Sequence, residues 1–232
     1  MGTLYLIRHG QASFGARDYD QLSEIGVTQS ALLGRWLALA GAKADRLITG
    51  TLKRHLQTAE ACLRSWEEGL PPLPLPVQDP AFDEFNHQEI LVRQHPEFAE
   101  PGYLEGFLQE QADARKAFQR IFADGVARWL SGRHDQDYQE SWPAFRARCV
   151  EGLKRAAQTE GDVWIFTSGG PIATTLQYVL GVPDDRMLDL NWSVVNSSVT
   201  QVTHRRGKFF LNQFNTIGHL VTAGRSDLVT YR

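Results

Sequence analysis

Three apolar, β-rich runs, TLYLIRH, ADRLITG and DVWIFT, each pass through a short polar or glycine-bearing junction into a segment with helical spacing. No other feature restricts the fold as much. Strands that alternate with helices are joined by crossovers, and crossovers leave neighbouring strands parallel. The pattern predicts an α/β fold around a mainly parallel sheet.

The segments between these strands are legible in turn. The loop GQASFGARDYDQ follows the first strand, and Ser23 then precedes EIGVTQSALLGRWLALAG. There Leu32, Leu33, Trp36, Leu37 and Leu39 form a helical stripe and Gly41 marks a stop. In TLKRHLQTAEACLRSWEE the apolar positions near helical spacing are Leu52, Leu56, Ala59, Leu63 and Trp66. The prolines of GLPPLPLPVQDPAF predict an extended connection, with PVQ as an edge strand. From about residue 88 to 160 the spacing is almost wholly helical, interrupted by the polar loop RHDQDYQE. Ser141 and Pro143 open the last helix of that block. GPIATTLQYVLGV carries Pro171 in its first turn, and SVTQVTHRRGKFFLNQFN reads as an antiparallel hairpin turning at RRGK. The segment from Gly218 onward carries little pattern.

The three junctions also concentrate chemistry. The first holds Arg8, His9, Gly10 and Gln11, the second holds Arg54 near the start of a helix, and the third is Ser168-Gly169-Gly170. In open α/β sheets, ligands bind beyond the carboxyl ends of the parallel strands, so all three junctions are expected to face one pocket. Glycines let main chain approach a ligand closely, and a helix start offers N–H groups to an anion. Arg8 and Arg54 add charge-assisted contacts. That set suits a phosphate group. A neutral imidazole at His9 could attack phosphorus, and an acid would then protonate the leaving oxygen. Glu84, in PAFDEFNHQEI, is the candidate acid, ahead of its neighbour Asp83.

Composition excludes several other classes. The 232 residues are 42% hydrophobic and 22% charged, ordinary values for one large domain or a core with an insertion. A net charge of −3 supplies no general attraction to nucleic acid. Cys62 and Cys149 lack metal-ligand spacing and are expected to be buried, reduced thiols. No stretch approaches the length of a membrane span, and the chain starts on a strand and not on a leader-like segment. The expectation is a cytoplasmic protein without membrane or nucleic-acid partners.

Together these segments resemble the histidine phosphatase superfamily, branch 1, the phosphoglycerate mutase-like group. LYLIRHGQA matches its opening signature, LSEIGVTQSALLGRWL the segment that follows, and TGTLKRHLQTAE the segment with its second arginine. FDEF stands where the group has its acidic residue, and NTIGHL resembles a common late segment. The resemblance implies a three-layer sandwich, a mainly parallel sheet flanked by helices. It further implies a single domain over 1–232 with a helical cap at about 88–145. It makes His9 the phosphorylated nucleophile, has Arg8 and Arg54 grip the phosphoryl oxygens, and makes Glu84 the proton donor. Gln11, Ser13 and Gly169 would help bind a small phosphorylated substrate. No metal or organic cofactor is implied.

One position departs from the pattern. VWIFTSGGPI places Ser168 where the group usually has a second histidine. A hydroxyl can donate to a phosphate oxygen but brings no charge. Losing one well-placed transition-state donor typically costs about 2.7–4 kcal/mol. A histidine from elsewhere could compensate; His87 ranks first, His219 second and His55 third. FNHQEIL also departs from the group's usual sequence after the acid, which weakens any transfer of specificity. The expected activity is phosphomonoester hydrolysis through phospho-His9. The alternatives are a catalytically weak or inactive phospho-ligand-binding protein and a phosphoglycerate mutase.

Overall fold

The computed structural model describes residues 2–13, 20–66 and 70–231. The first strand is β1 (Gly2–Arg8), followed by α1 (Glu24–Leu39), β2 (Arg46–Thr49), α2 (Lys53–Arg64) and β3 (Val77–Gln78). Four helices come next: α3 (His87–Gln94), α4 (Tyr103–Gln109), α5 (Ala114–Leu130) and α6 (Trp142–Ala156). Then come β4 (Val163–Thr167), α7 (Gly169–Leu180), α8 (Met187–Ser193), β5 (Val199–Arg205), β6 (Lys208–Thr216) and α9 (Gly218–Thr222). Of the loop read between the first strand and first helix, residues 14–19 lie outside the described part.

The strands form one sheet in the order β3-β2-β4-β1-β5-β6. The pairs β3–β2, β2–β4 and β4–β1 are parallel, and the hairpin β5–β6 adds two antiparallel pairings beside β1. The α/β expectation, the edge strand at Val77 and the hairpin are all present. All five residues of β4 are fully buried, as a central strand covered on both faces must be. Its side chains alternate between two cores. Val163 and Ile165 pack with Leu4, Leu6, Leu153 and Ile172 beneath α6 and α7. Trp164 and Phe166 pack with Ile7, Leu33, Leu37 and Cys62 beneath α1 and α2. Each such side chain contributes about 1.5–3 kcal/mol through burial. These two cores make the structure a three-layer sandwich.

A third cluster joins Phe85 to Val126 and Trp129 of α5, Trp142 and Phe145 of α6, and Met187 of α8. It fixes the chain just after Glu84. The helix α6 runs from this cluster back onto the sheet, where Leu153 and Ala156 belong to the first core. Cys62 and Cys149 are free and buried, and burial pushes the Cys62 thiol up to about 12.

Helix ends follow local chemistry. Ser23 caps α1 by accepting from the N–H of Gly26 at 3.1 Å, an interaction worth about 1 kcal/mol. Gly41 sits just past its end at φ +64. Two stripes differ from expectation. Leu39 is 77% exposed, because the last turn of α1 overruns the core. In α2 the buried face carries Arg54, His55 and Thr58 beside Ala59 and Cys62, while Leu56 and Leu63 are half-buried. Its amino-terminal half turns polar side chains inward because it lines a site.

Candidate active site

Strand register brings the site together. Arg8 pairs with Thr167, and Thr49 with Phe166, so β1, β4 and β2 end at nearly one level. The next residues, His9, Ser168 and Gly50, emerge side by side at the carboxyl edge of the sheet. The N–H of His9 donates to the Thr167 carbonyl at 2.8 Å. Its own carbonyl accepts from the Ser197 N–H at 3.1 Å and from Nδ2 of Asn196 at 3.3 Å.

The His9 ring is 6% exposed, and its Nδ1 lies 2.7 Å from the Gly10 carbonyl. A carbonyl only accepts, so Nδ1 carries the proton and Nε2 keeps the lone pair. Burial, then Arg54, Arg8 and His55, hold the imidazole well below its ordinary value of 6.5. The ring is therefore neutral at pH 7, with Nε2 unprotonated.

The flanking loop is pinned to α1 and α2. Gly10 donates to Oγ1 of Thr58 at 3.0 Å. The Gln11 N–H donates to Oε1 of Gln29 at 2.8 Å, and the Gln11 side-chain oxygen accepts from the Ser23 hydroxyl. Ser13 is held through its N–H to the Gln21 carbonyl at 2.8 Å.

Two guanidiniums set the potential. Arg8 donates to the carbonyls of Val194 and Tyr231, which fix its plane. Arg54, 7% exposed, forms a 2.6 Å ion pair with Asp20, whose other oxygen accepts from the Lys53 N–H.

Glu84 sits at the start of α7. Its Oε2 accepts from the Gly170 N–H at 3.2 Å and its Oε1 from the Phe85 N–H at 3.2 Å. A Cβ at residue 170 would run into Oε1, so glycine lets the carboxyl close on the helix. Gly169 backs in the same way onto the side chain of Asn191. Burial raises the Glu84 carboxyl above its ordinary range, against the pull of Arg54, these two N–H groups and Arg8. Asp83 behaves oppositely. Burial works to raise it, but His55 and both donors of Thr51 outweigh that and hold it below the usual value.

Ser168 is fully buried, and its Oγ lies 2.6 Å from Nε2 of His55. The His55 ring is buried too, 5.8 Å from the ring of His9, with its Nδ1 3.7 Å from Oδ1 of Asp83. A Cβ at Gly50 would strike both Nδ1 of His55 and the Asp83 carboxylate, so this pairing depends on glycine there. The other two histidines lie differently. His87 opens α3 within the field of Arg54, and burial followed by that charge lowers it to about 4. His219 packs against Trp36 and meets the Ser197 hydroxyl at 2.8 Å, and burial lowers it to about 4. Of the three, His55, ranked last from sequence, is the one whose ring stands against both His9 and Ser168.

Sequence reasoning missed the supports of the site. Gln29 links the His9 loop to the Leu228 carbonyl and to Thr230, and the Tyr231 carbonyl holds Arg8. Tyr231 lies outside any periodic stripe, and Gln29 sits on the buried face of α1 one turn before Leu33. A buried polar residue on a helix face is the signal that would have found Gln29.

Among the described residues no group of three or more His, Cys, Asp or Glu side chains could hold a metal ion, and no helix is long and apolar enough to cross a membrane. A surface cleft of about 320 Å³ lined by Gly2, Thr159, His204 and Arg205 lies at the amino end of β1, away from His9.

The profile of the histidine phosphatase superfamily (branch 1) matches residues 4–217. Solved structures share the fold across nearly the whole chain. A phosphoglycerate mutase from Bacillus anthracis superposes with a TM-score of 0.65 at 17% identity, covering 97% of each chain. A variant of phosphoserine phosphatase from Entamoeba histolytica, in complex with phosphoserine, gives 0.58 at 18% identity, covering 95% of this chain and 100% of that one. A mycobacterial glucosyl-3-phosphoglycerate phosphatase gives 0.60 at 20% identity, covering 93% and 99%. No curated protein matches the chain.

Proposed function

The chain belongs to branch 1 of the histidine phosphatase superfamily, and from that premise we propose that it is a phosphomonoesterase acting through a phosphohistidine at His9. The observation that carries this reading is the neutral His9 ring, its Nδ1 engaged by Gly10 and its lone pair on Nε2, in the field of Arg8 and Arg54. Phosphorus is attacked by Nε2 as the ester oxygen departs. Glu84, whose raised carboxyl favours the protonated form, gives that oxygen its proton. Water then attacks the phosphohistidine and returns a proton to the Glu84 carboxylate. Inorganic phosphate leaves and His9 is restored. Arg8 and Arg54 stabilise the charge that spreads over the phosphoryl oxygens, while Gln11, Ser13, Ser168 and Gly169 border the bound substrate.

Both phosphatases and a phosphoglycerate mutase appear among the structural relatives. Hydrolysis is favoured because nothing in the sequence identifies a second phosphate site for a bisphosphate. The substrate class is a small phosphorylated molecule. Ser168 supports a second reading, a protein that binds such a ligand with little turnover, because an uncharged hydroxyl stands beside His9.

Incubation with an aryl phosphate followed by an alkaline detergent quench tests the main reading. Turnover together with an acid-labile phosphoprotein, both lost in His9→Ala, is the expected result. Tight binding of inorganic phosphate with no turnover over a broad panel of esters would favour the binding protein. Interconversion of 2- and 3-phosphoglycerate with a bisphosphate primer would favour the mutase.

A further inference from the structure

We propose that Asp83, His55 and Ser168 form a proton-coupled relay, in which His55 takes up a proton as a phosphoryl group binds and thereby turns the Ser168 hydroxyl into a donor toward that group. The proposal rests on the phosphate site at His9 and extends it to a residue that does not itself touch the substrate.

The commitment of Ser168 is the first observation. It is the N-cap of α7, a position where serine ordinarily gives its oxygen to an N–H of its own helix. Here the hydroxyl makes no such bond and is turned to Nε2 of His55 at 2.6 Å. It stands next to His9 across the β1–β4 pair, because Arg8 and Thr167 are partners and the following residues share one level. Neighbouring strands lie about 4.8 Å apart, so Ser168 borders whatever His9 attacks.

A hydroxyl carries one proton, and that proton can face only one way. While His55 is neutral with its hydrogen on Nδ1, which faces the Asp83 carboxylate at 3.7 Å without a hydrogen bond, Nε2 must accept. The Ser168 proton then points at the ring and its lone pairs face the pocket, which repels an anion. When both ring nitrogens carry hydrogen, Nε2–H donates to Oγ and the Ser168 proton is released toward the phosphoryl oxygens. Binding of the anion and protonation of His55 therefore favour each other.

The charges around His55 fit a group poised for this. Asp83 lies behind the ring, the Arg54 guanidinium and the His9 ring lie on the pocket side, and Asp20 adds a more distant negative charge. Burial foremost, with Arg54 assisting against Asp83, holds the ring below its ordinary value while the pocket holds no anion. A phosphoryl dianion opposes Arg54 and shifts the balance toward the imidazolium, whose charge the Asp83 carboxylate meets. No bond to carbon or phosphorus changes in this step. One proton enters from solvent with the anion and leaves with it. His55 is a positioning residue that acts through Ser168.

The test uses the full chain with ¹⁵N-labelled histidine, its ring resonances followed at pH 7 as inorganic phosphate is added. In the wild type the His9 ring responds and both His55 ring nitrogens move to the protonated range. In Ser168→Ala His9 still responds, while the shift of the His55 nitrogens is smaller than in the wild type, because the anion's charge still reaches the ring but no hydroxyl couples the two. Aryl phosphate kinetics add a second readout. Ser168→Ala and His55→Gln each lower kcat by roughly a hundred- to a thousandfold with a smaller change in KM, and the double variant loses no more than either alone. If phosphate moves His9 while His55 stays neutral in the wild type, or if the two losses multiply, the relay is wrong. If phosphate leaves His9 itself unmoved, the phosphate site falls, and the relay with it.

Discussion

The N–H of Gly170 donates to Oε2 of Glu84 across 3.2 Å at the first turn of α7. Residue 170 has no room for a side chain there, since a Cβ would overlap Oε1 and crowd the Phe85 ring. The carboxyl is thus placed by a contact that only glycine permits. Gly170→Ala is expected to push Glu84 off the helix start. It should lower kcat about 10- to 100-fold while the far-ultraviolet circular dichroism stays unchanged. Unaltered kcat in a folded variant would show that Glu84 is not held for proton transfer.

In the proposed reaction the two groups that act, His9 and Glu84, are shifted toward each other. His9 must be neutral to attack, and its value is pulled well below 6.5, so activity rises as pH rises through that depressed value. Glu84 must be protonated to donate, and its value is raised above 4.5, so activity falls as pH climbs past it. The profile of kcat/KM is expected to be bell-shaped with its optimum on the acid side of neutrality. In Glu84→Gln the alkaline limb should shrink to the part set by proton uptake at His55, along with loss of most of the rate. Steady-state kinetics between about pH 4 and 9 decide the point, and an unchanged alkaline limb in that variant would assign it to another group.

Arg54 is almost fully buried and its guanidinium meets Asp20 at 2.6 Å. A planar fork can serve Asp20 and a phosphoryl oxygen together, whereas an ammonium is a single point charge. Arg54→Lys is expected to raise KM and lower kcat, with kcat/KM falling about 100-fold. Inorganic phosphate should inhibit it correspondingly less. Equal inhibition of variant and wild type would remove Arg54 from the anion site.

These positions show how far the sequence speaks for itself. The strands β1, β2 and β4 were visible because apolar runs ending in glycine junctions have few other uses, and the Ser23 cap was visible because capping is local. The site is assembled by register, and the level at which Arg8 meets Thr167 is a property of the sheet. Hence His55 ranked behind His87 and His219. The apolar spacing of α2 pointed to Leu56 and Leu63 as its inner face, whereas the fold buries Arg54, His55 and Thr58. A helix that lines a charged pocket inverts the usual pattern, because its polar face is the one satisfied inside. The segment after Gly218 carried no periodicity, yet its carbonyls hold Arg8 and Gln29. Main-chain acceptors leave no mark on residue type.

Gln29 is fully buried and each end of its amide is used. Oε1 accepts from Gln11, and Nε2 donates to the Leu228 carbonyl at 2.7 Å and to Thr230 at 2.9 Å. Removing the amide strands the part-buried Gln11 N–H and the buried Leu228 carbonyl at once. Each such group costs about 1–3 kcal/mol. Gln29→Ala is expected to destabilise the fold by about 2–4 kcal/mol, read from urea unfolding. A change below about 0.5 kcal/mol, the range of an ordinary surface substitution, would mean that water replaces both bonds.

Acid should unfold this protein earlier than its carboxylates alone would suggest. His219 is 2% exposed and burial lowers it to about 4, while the unfolded chain restores its ordinary value of 6.5. Between those values the unfolded state binds more protons than the folded one, so stability falls as pH falls through that window and is constant above it. One such histidine removes about 2 kcal/mol between pH 7 and pH 5. His87, lowered to about 4, and His9 and His55, also lowered, act in the same direction. Glu84 acts against them, because a raised carboxyl contributes stability at low pH that is lost as pH climbs from 4.5 through its folded value. Four depressed histidines outnumber one raised carboxyl, so the net slope below pH 6.5 is positive. Urea unfolding across this range checks it. His219→Asn keeps a donor toward Ser197 but cannot titrate, and it is expected to lessen the slope by up to one proton. An unchanged slope would show that His219 is protonated in the folded protein.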